Sequence, residues 1–205
     1  MKLFKGIFSK EEQKQPIVVV SGLPRSGTSM MMKMLEAGGL PPLTDNIRTA
    51  DNDNPKGYYE FERAKKLKEG DVAWLPEAQG KAVKIITALL THLPSTYNYQ
   101  VIFMERALPE ILASQRKMLV NRGEDPDKVS DEELTRLYQK HLNQVMNWIK
   151  SQPNVQYLGV NYNLILQDPD PYIKQVNQFL GNTLGVEEMS GVIDPNLYRQ
   201  RNLDS

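Results

Sequence analysis

The sequence predicts an α/β fold, a three-layer sandwich with a mostly parallel central sheet. Short apolar runs alternate along the chain with longer segments in which apolar residues recur at helical spacing. The first run, Ile-Val-Val-Val at 17–20, is uninterrupted and β-branched, which is typical of a strand buried on both faces of a parallel sheet. In such a sheet we expect a ligand at the carboxyl ends of the strands.

The first strand leads through a glycine-punctuated turn into the first helix. Residues 22–29 read Gly-Leu-Pro-Arg-Ser-Gly-Thr-Ser. The glycines let the backbone approach an anion, and the first free N–H groups of the helix point at it with the positive end of the helix dipole behind them. The helix has an apolar side made of Met30, Met31, Met34 and Leu35. This arrangement predicts a phosphate-binding loop.

The loop differs from that of a nucleotide-hydrolysing P-loop protein. Thr28 stands where such a loop has its lysine, and the positive charge is at Arg25 instead. The run at 101–104 ends in Glu105-Arg106 and not in an aspartate that would hold magnesium. We therefore expect an anionic ligand that is neutralised by arginine and backbone N–H groups, with no metal required.

The region after the first helix is predicted to form the acceptor side of the site. Gly38-Gly39 and Pro41-Pro42 end the helix. Residues 43–57 then form a long polar excursion, and loops of this length in compact domains are usually functional. A short helix is predicted to start within 58–62. Four aromatic residues can line a pocket there or belong to the core, namely Tyr58, Tyr59, Phe61 and Trp74.

The remaining elements continue the alternation of strands and helices. Three more strands are predicted, at 82–88, 100–104 and 155–160. A helix is expected to begin at Leu108, and Ser130 with Glu133 forms a capping box that starts a long amphipathic helix. The last predicted helix begins near Asp168.

Two motifs carry a resemblance to a known family. Residues 23–29 resemble the 5′-phosphosulfate-binding loop of the PAPS-dependent sulfotransferases, in the arginine-bearing form of bacterial and Golgi-type members. Arg106 at a strand end and Ser114 in the following helix match that family's 3′-phosphate site, where the planar fork of arginine meets two phosphate oxygens. Taken singly, each has another interpretation. Arg106 can pair with Glu105 or Glu110, and Ser114 can simply lie in the helix.

The resemblance extends over residues 16–180 and includes a segment at 162–165 that is similar to the family's Tyr-x-x-Leu. It implies the P-loop NTPase-like sulfotransferase fold, with transfer of a sulfuryl group from PAPS to a hydroxyl or amine and release of adenosine 3′,5′-bisphosphate. The nucleotide is then expected to contact Arg25, Ser26, Gly27, Thr28, Ser29, Arg106 and Ser114. Near the C-terminus, Arg199 and Arg201 either fold back to supply cations to the nucleotide or lie in an exposed tail.

Two cationic residues are candidates for a catalytic role. Negative charge develops on the departing 5′-phosphate during an in-line displacement, and Arg25 is expected to meet it. Lys84 stands in the second strand where the family often has a lysine near the sulfuryl group. The other interpretation of Lys84 is a strand-end lysine that faces solvent.

The general base is open, because Ile85 and Ile86 stand where cytosolic sulfotransferases place a histidine. Other branches of the family use a glutamate from the region after the phosphate loop. Glu60 is therefore the first candidate and Glu62 the second, since a carboxylate serves as a base when burial raises its pKa toward neutrality. His92 is a third candidate, although it falls beyond the predicted strand.

Two other functions compete with sulfuryl transfer. One is a P-loop kinase of a small molecule, which Thr28 and the missing magnesium aspartate disfavour. The other is a non-catalytic nucleotide-binding or scaffold protein, which the unsettled base makes credible. Magnesium-dependent ATP hydrolysis would support the first, and binding without turnover would support the second.

Composition limits the partners and the organisation of the chain. The 205 residues contain 25 Lys+Arg, 25 Asp+Glu and no cysteine, so no nucleic-acid partner is expected and a reducing, cytoplasmic location is favoured. No apolar run is long enough to span a membrane. We expect residues 1–15 to be a flexible tail, with weak membrane-surface binding as the alternative, and 16–205 to be one domain. Acceptor identity and oligomeric state stay open.

Overall fold

A parallel sheet of four strands lies at the centre of the computed structural model, which describes residues 15–45, 47 and 57–193. The strands are β1 (Ile17–Gly22), β2 (Ala82–Lys84), β3 (Tyr99–Glu105) and β4 (Val155–Asn161), in the order β2-β1-β3-β4. Every neighbouring pair is parallel. The predicted α/β class and parallel sheet are thereby confirmed.

Helices cover both faces of this sheet. They are α1 (Thr28–Ala37), α2 (Glu62–Lys65), α3 (Leu75–Ala78), α4 (Leu108–Asn121), α5 (Asp131–Ser151), α6 (Tyr162–Gln167), α7 (Pro169–Phe179) and α8 (Val186–Ser190). Two 3₁₀ helices span Leu67–Glu69 and Thr87–His92. The capping box is confirmed, because the Ser130 hydroxyl accepts a hydrogen bond from the Glu133 N–H at 3.2 Å.

The first strand divides the hydrophobic core in two, as its uninterrupted run of β-branched residues predicts. Ile17 and Val19 pack with α5 and with the segment around Trp74 on one face. Val18 and Val20 pack with α1, α7 and α8 on the other. All four side chains are buried, and each stabilises the fold by about 1.5–3 kcal/mol relative to an exposed side chain.

The predicted second strand is wrong beyond Lys84. The Ile85 N–H still donates to the Val20 carbonyl at 3.0 Å, but the chain then turns into the 3₁₀ helix and leaves Ile86 exposed. An apolar run of this length fits a strand or a buried helical turn equally well, so periodicity alone could not separate them.

The register of the sheet brings three strand ends together. Gly22 at the end of β1 pairs with Met104, and Glu105 at the end of β3 pairs with Asn161. The loop after β1, the start of α4 and the start of α6 therefore meet at one edge of the sheet.

Several predictions lie outside the described residues. They concern the tail before Gln15, the part of the polar excursion at 48–56, and Arg199 and Arg201. Within the described part of the chain, no helix has both the length and the apolar character that a membrane span needs. The same residues contain no group of three or more His, Cys, Asp or Glu side chains arranged to hold a metal ion.

Candidate active site

The loop between β1 and α1 depends on two glycines. At Gly27 φ is 98°, and a Cβ there would lie 2.3 Å from Cδ2 of Tyr162. At Gly22 φ is 153°, and a Cβ would lie 2.7 Å from the Met104 carbonyl oxygen. Both positions exclude larger residues, because the conformation favours glycine and the space is already filled.

Ser26 provides an observation that tests whether this loop suits an anion. Its N–H donates to the Leu23 carbonyl at 3.1 Å, which closes the turn. Its Oγ is buried and has no hydrogen-bond partner among the residues that the structure describes. An unsatisfied buried hydroxyl costs about 1–3 kcal/mol, and a phosphate oxygen is a partner that would satisfy it. The loop therefore fits a phosphate.

Arg25 joins the two predicted phosphate sites. Its Nε donates to Oγ of Ser114 at 2.9 Å, across 89 positions of sequence. Arg25 has φ 72°, an uncommon left-handed conformation for a residue other than glycine. The structure thus brings the loop arginine and the α4 serine together.

Arg106 lies beside this pair and makes the contact with Glu110 that the sequence left open as an alternative. Its Nη1 donates to the Arg25 carbonyl at 2.9 Å, and its Nε donates to Oε2 of Glu110 at 2.9 Å. Its guanidinium carbon lies 4.6 Å from the ring centroid of Tyr162. The hydrogen bond described for Ser114 comes from Arg25, so in this structure Arg106 takes the alternative partner, Glu110.

Sequence reasoning assigned no site role to Glu110, Tyr162 and Asn163. Tyr162 is buried, and burial raises the pKa of its phenol against the lowering effect of Arg106, so its ring serves as a neutral surface under the guanidinium. The Nδ2 of Asn163 donates to Oε1 of Glu110 at 2.6 Å. The spacing of Arg106 and Glu110 was the available signal for their pairing.

Lys84 connects the predicted acceptor-side segment, at 57–61, to the phosphate loop. Its Nζ donates to the Tyr58 carbonyl at 2.6 Å and to Oγ of Ser29 at 3.2 Å. Ser29 lies in the first turn of α1, which Thr28 begins. The solvent-facing interpretation of Lys84 is therefore wrong, because its ammonium is held between two neighbouring segments.

The three base candidates occupy different environments. A carboxylate oxygen of Glu60 lies 2.7 Å from Nζ of Lys65, and one of Glu62 lies 2.5 Å from the same nitrogen. Burial lowers the pKa of Lys65, the hydrogen bonds that it donates to both glutamates raise it, and the net change is a rise. The Glu60 side chain is 15% exposed and that of Glu62 is 42% exposed. His92 ends the second 3₁₀ helix and is exposed.

Comparison with known proteins decides the family. A family model described as "Sulfotransferase domain" matches residues 15–198. The chain belongs to the sulfotransferase domain family. The resemblance drawn from the two phosphate-site motifs is confirmed, and with it the identification of the protein as an enzyme of sulfuryl transfer.

Two solved sulfotransferases share the fold. The sulfotransferase domain from the Synechococcus PCC 7002 olefin synthase is 16% identical, with a TM-score of 0.50 over 94% of this chain and 86% of that one. Sulfotransferase STF1 from Mycobacterium tuberculosis H37Rv is 16% identical, with a TM-score of 0.58 over 88% of this chain and 70% of that one. No curated protein matches the sequence. These likenesses support the sulfotransferase fold.

Proposed function

We propose that this sulfotransferase takes the sulfuryl group from PAPS and transfers it to a hydroxyl or amine. The observation that carries the proposal is the hydrogen bond between Arg25 and Ser114. It joins an arginine of the phosphate loop to a serine of α4, which are the residues expected at the 5′- and 3′-phosphate ends of one nucleotide. A ligand with phosphates at both ends suits such a pair.

The residues that would hold the nucleotide divide into two groups. The N–H groups and hydroxyls of residues 26–29 lie at the positive end of the α1 dipole and would contact the 5′-phosphosulfate. Ser114 and Arg106 would contact the 3′-phosphate. PAPS, when bound, supplies the sulfuryl group and leaves as adenosine 3′,5′-bisphosphate.

The charged side chains have separate tasks in the transfer. Arg25 stabilises the negative charge that develops at the loop, and removal of such a donor typically costs on the order of 10²–10³ in rate. Lys84, held beside Ser29 at 3.2 Å, adds a second positive charge on the acceptor side of the loop. Glu60 removes the proton from the acceptor hydroxyl or amine, and its contact with Lys65 at 2.7 Å orients the carboxylate.

Calorimetric titration with adenosine 3′,5′-bisphosphate tests the donor. The wild-type protein should bind it more tightly than adenosine 5′-phosphate or ATP with magnesium, and without added metal. Ser114→Ala should weaken binding of the bisphosphate more than binding of adenosine 5′-phosphate, because only the first ligand carries a 3′-phosphate. A preference of the wild type for ATP with magnesium would contradict the proposal.

A further inference from the structure

Glu110 is a buried carboxylate that the proposed reaction does not use. Its side chain is 4% exposed and that of Arg106 is 7% exposed. One carboxylate oxygen accepts from Nε of Arg106 at 2.9 Å, and the other accepts from Nδ2 of Asn163 at 2.6 Å. Both oxygens therefore have partners, from two different elements of the fold.

The burial of this ion pair calls for an explanation beyond stability. Removing a carboxylate from water costs several kcal/mol, and a buried ion pair is often no more stabilising than apolar residues of the same volume. Such a pair is best understood by what it orients. The Glu110 carboxylate holds Nε on one edge of the planar Arg106 guanidinium. Because the group is planar, this contact also fixes the direction of Nη1 on the opposite edge.

The oriented guanidinium acts on the phosphate loop. Its Nη1 donates to the Arg25 carbonyl at 2.9 Å. Arg25 has φ 72°, and a residue other than glycine keeps such a conformation only when its surroundings hold it there. A carbonyl that is held by Arg106 also cannot turn toward an anion in the loop. The contact therefore preserves both the shape and the polarity of the anion site.

The start of α6 completes the network from the edge strand. Oδ1 of Asn161 accepts from the N–H groups of Asn163 and Leu164 at 3.0 and 3.1 Å, which caps this helix. The cap places Asn163 against Glu110. It also places the Tyr162 ring between Gly27 and the Arg106 guanidinium. The phosphate loop, the end of β3, helix α4 and the start of α6 thus meet at the ion pair of Arg106 and Glu110.

We infer that Glu110 is a positioning residue for the phosphate loop. Its carboxylate orients Arg106, and Arg106 holds the left-handed backbone of Arg25 on which nucleotide binding depends. The inference rests on the proposed function for its ligand. It adds a residue that touches no part of the nucleotide but sets the geometry of the site.

Two conservative variants separate geometry from charge. Glu110→Asp keeps the charge but shortens the side chain, so it cannot reach Arg106 and Asn163 together. Glu110→Gln keeps the length, and the hydrogen bonds to Arg106 and Asn163 can both be restored if the Asn163 amide turns over, because Gln then accepts from Arg106 and donates to Asn163. Glu105→Gln is the matched control, since Glu105 adjoins Arg106 in sequence and is exposed.

Calorimetry with adenosine 3′,5′-bisphosphate should show that the affinity depends on the length of the side chain at position 110 and not on its charge. Glu110→Asp should bind about 10- to 100-fold more weakly, the loss expected for one hydrogen bond to a charged group. Glu110→Gln should bind at least as tightly as wild type, because the neutral side chain leaves more positive charge at the site. Thermal stability should fall in both, so the binding order is the discriminating result. Wild-type affinity in Glu110→Asp, or a tenfold loss in Glu110→Gln alone, would overturn the inference.

Hydrogen exchange of the free protein keeps the test independent of the nucleotide. Amides of the loop at 23–28 should exchange faster in Glu110→Asp than in wild type, and Glu110→Gln and Glu105→Gln should match wild type. If the wild type fails to bind the bisphosphate, the proposed donor is wrong and the exchange result alone decides the positioning role. Equal loop exchange in all four proteins would overturn it.

Discussion

Glu60 is held in place through both its backbone and its side chain. Its carbonyl accepts from Oγ1 of Thr44 at 2.9 Å, while its side chain contacts Lys65 at 2.7 Å. Two residues earlier, the Tyr58 carbonyl accepts from Lys84. Glu60 is therefore fixed on a segment that touches the phosphate side of the site.

Replacing Glu60 with Gln tests its role as the base. We expect Glu60→Gln to lower turnover by about 10²–10⁴-fold, because the amide cannot accept the acceptor's proton. Binding of adenosine 3′,5′-bisphosphate should be unchanged. The measurement is transfer of labelled sulfate from PAPS to a panel of phenols, sugars and amines.

Glu62→Gln is the control for this change, since Glu62 contacts the same Lys65 but is more exposed. It should retain most of the turnover. An equal loss in both variants would indicate that the ion pairs with Lys65 matter and not the base. Normal turnover in Glu60→Gln would reject the assignment and leave Glu62 or His92.

The contacts of Ser114 mark a limit of what the sequence predicts. The loop, Arg106 and Ser114 could be predicted as neighbours, because parallel strands end at the same edge of a sheet. The partner of Ser114 could not, because the choice between Arg25 and Arg106 depends on the backbone angle at Arg25 and on Glu110. The backbone angle is not visible in a motif, and the sequence left both Glu105 and Glu110 open as partners of Arg106.

At the scale of elements, the acceptor-side segment at 57–61 is fastened to the far end of α1. Oη of Tyr59 donates to Oε2 of Glu36, and Tyr59 has φ 53°. Glu36 lies in the last turn of α1, where the helix dipole disfavours a carboxylate. We interpret this contact as a fastening that holds the segment of Glu60 in place.

Removing the Tyr59 hydroxyl should loosen that segment without affecting the nucleotide. Tyr59→Phe should lower stability by about 1 kcal/mol, the usual worth of one hydrogen bond, and lower turnover with bisphosphate affinity unchanged. Burial and then Glu36 raise the pKa of the Tyr59 phenol, so it stays a donor and the effect should not vary with pH across the neutral range. Chemical denaturation and the sulfate-transfer assay measure the two effects.

Variants of Glu36 complete this test. Glu36→Gln still presents an oxygen to the Tyr59 hydroxyl and should behave like wild type, whereas Glu36→Ala should resemble Tyr59→Phe. Combining Glu36→Ala with Tyr59→Phe should cost no more than either change alone. Additive losses would mean that the two side chains act independently.

Elements differed in how well the sequence predicted them. Strands β1, β3 and β4 were predicted close to their observed bounds, because each is a short run containing β-branched or aromatic residues that begins directly after a proline or an asparagine. Helix α6 was not predicted as a helix, since its six residues are too few to show a period. Its cap by Asn161 was the local signal that could have found it.

At the scale of the whole molecule, the sheet links both halves of the core to the site. Alternate residues of β1 belong to the two hydrophobic clusters, so neither cluster can persist without the strand. The loop that follows β1 is also the proposed nucleotide site. The prediction that 16–205 form one domain therefore has a thermodynamic consequence, which is that fold and site should be lost together.

Thermal unfolding with and without the bisphosphate measures that linkage. We expect a single transition by near-UV and far-UV circular dichroism, as in two-state domains. A ligand at 100 times its dissociation constant adds about 2.7 kcal/mol, and a domain of this size gains about 2–4 °C per kcal/mol, so the whole transition should rise by about 5–10 °C. Gly27→Ala should abolish the rise, because its Cβ would displace Tyr162 and distort the loop. Two transitions, or a shift seen by one probe alone, would contradict the single domain, because ligand binding would then stabilise only one of two separately folding parts.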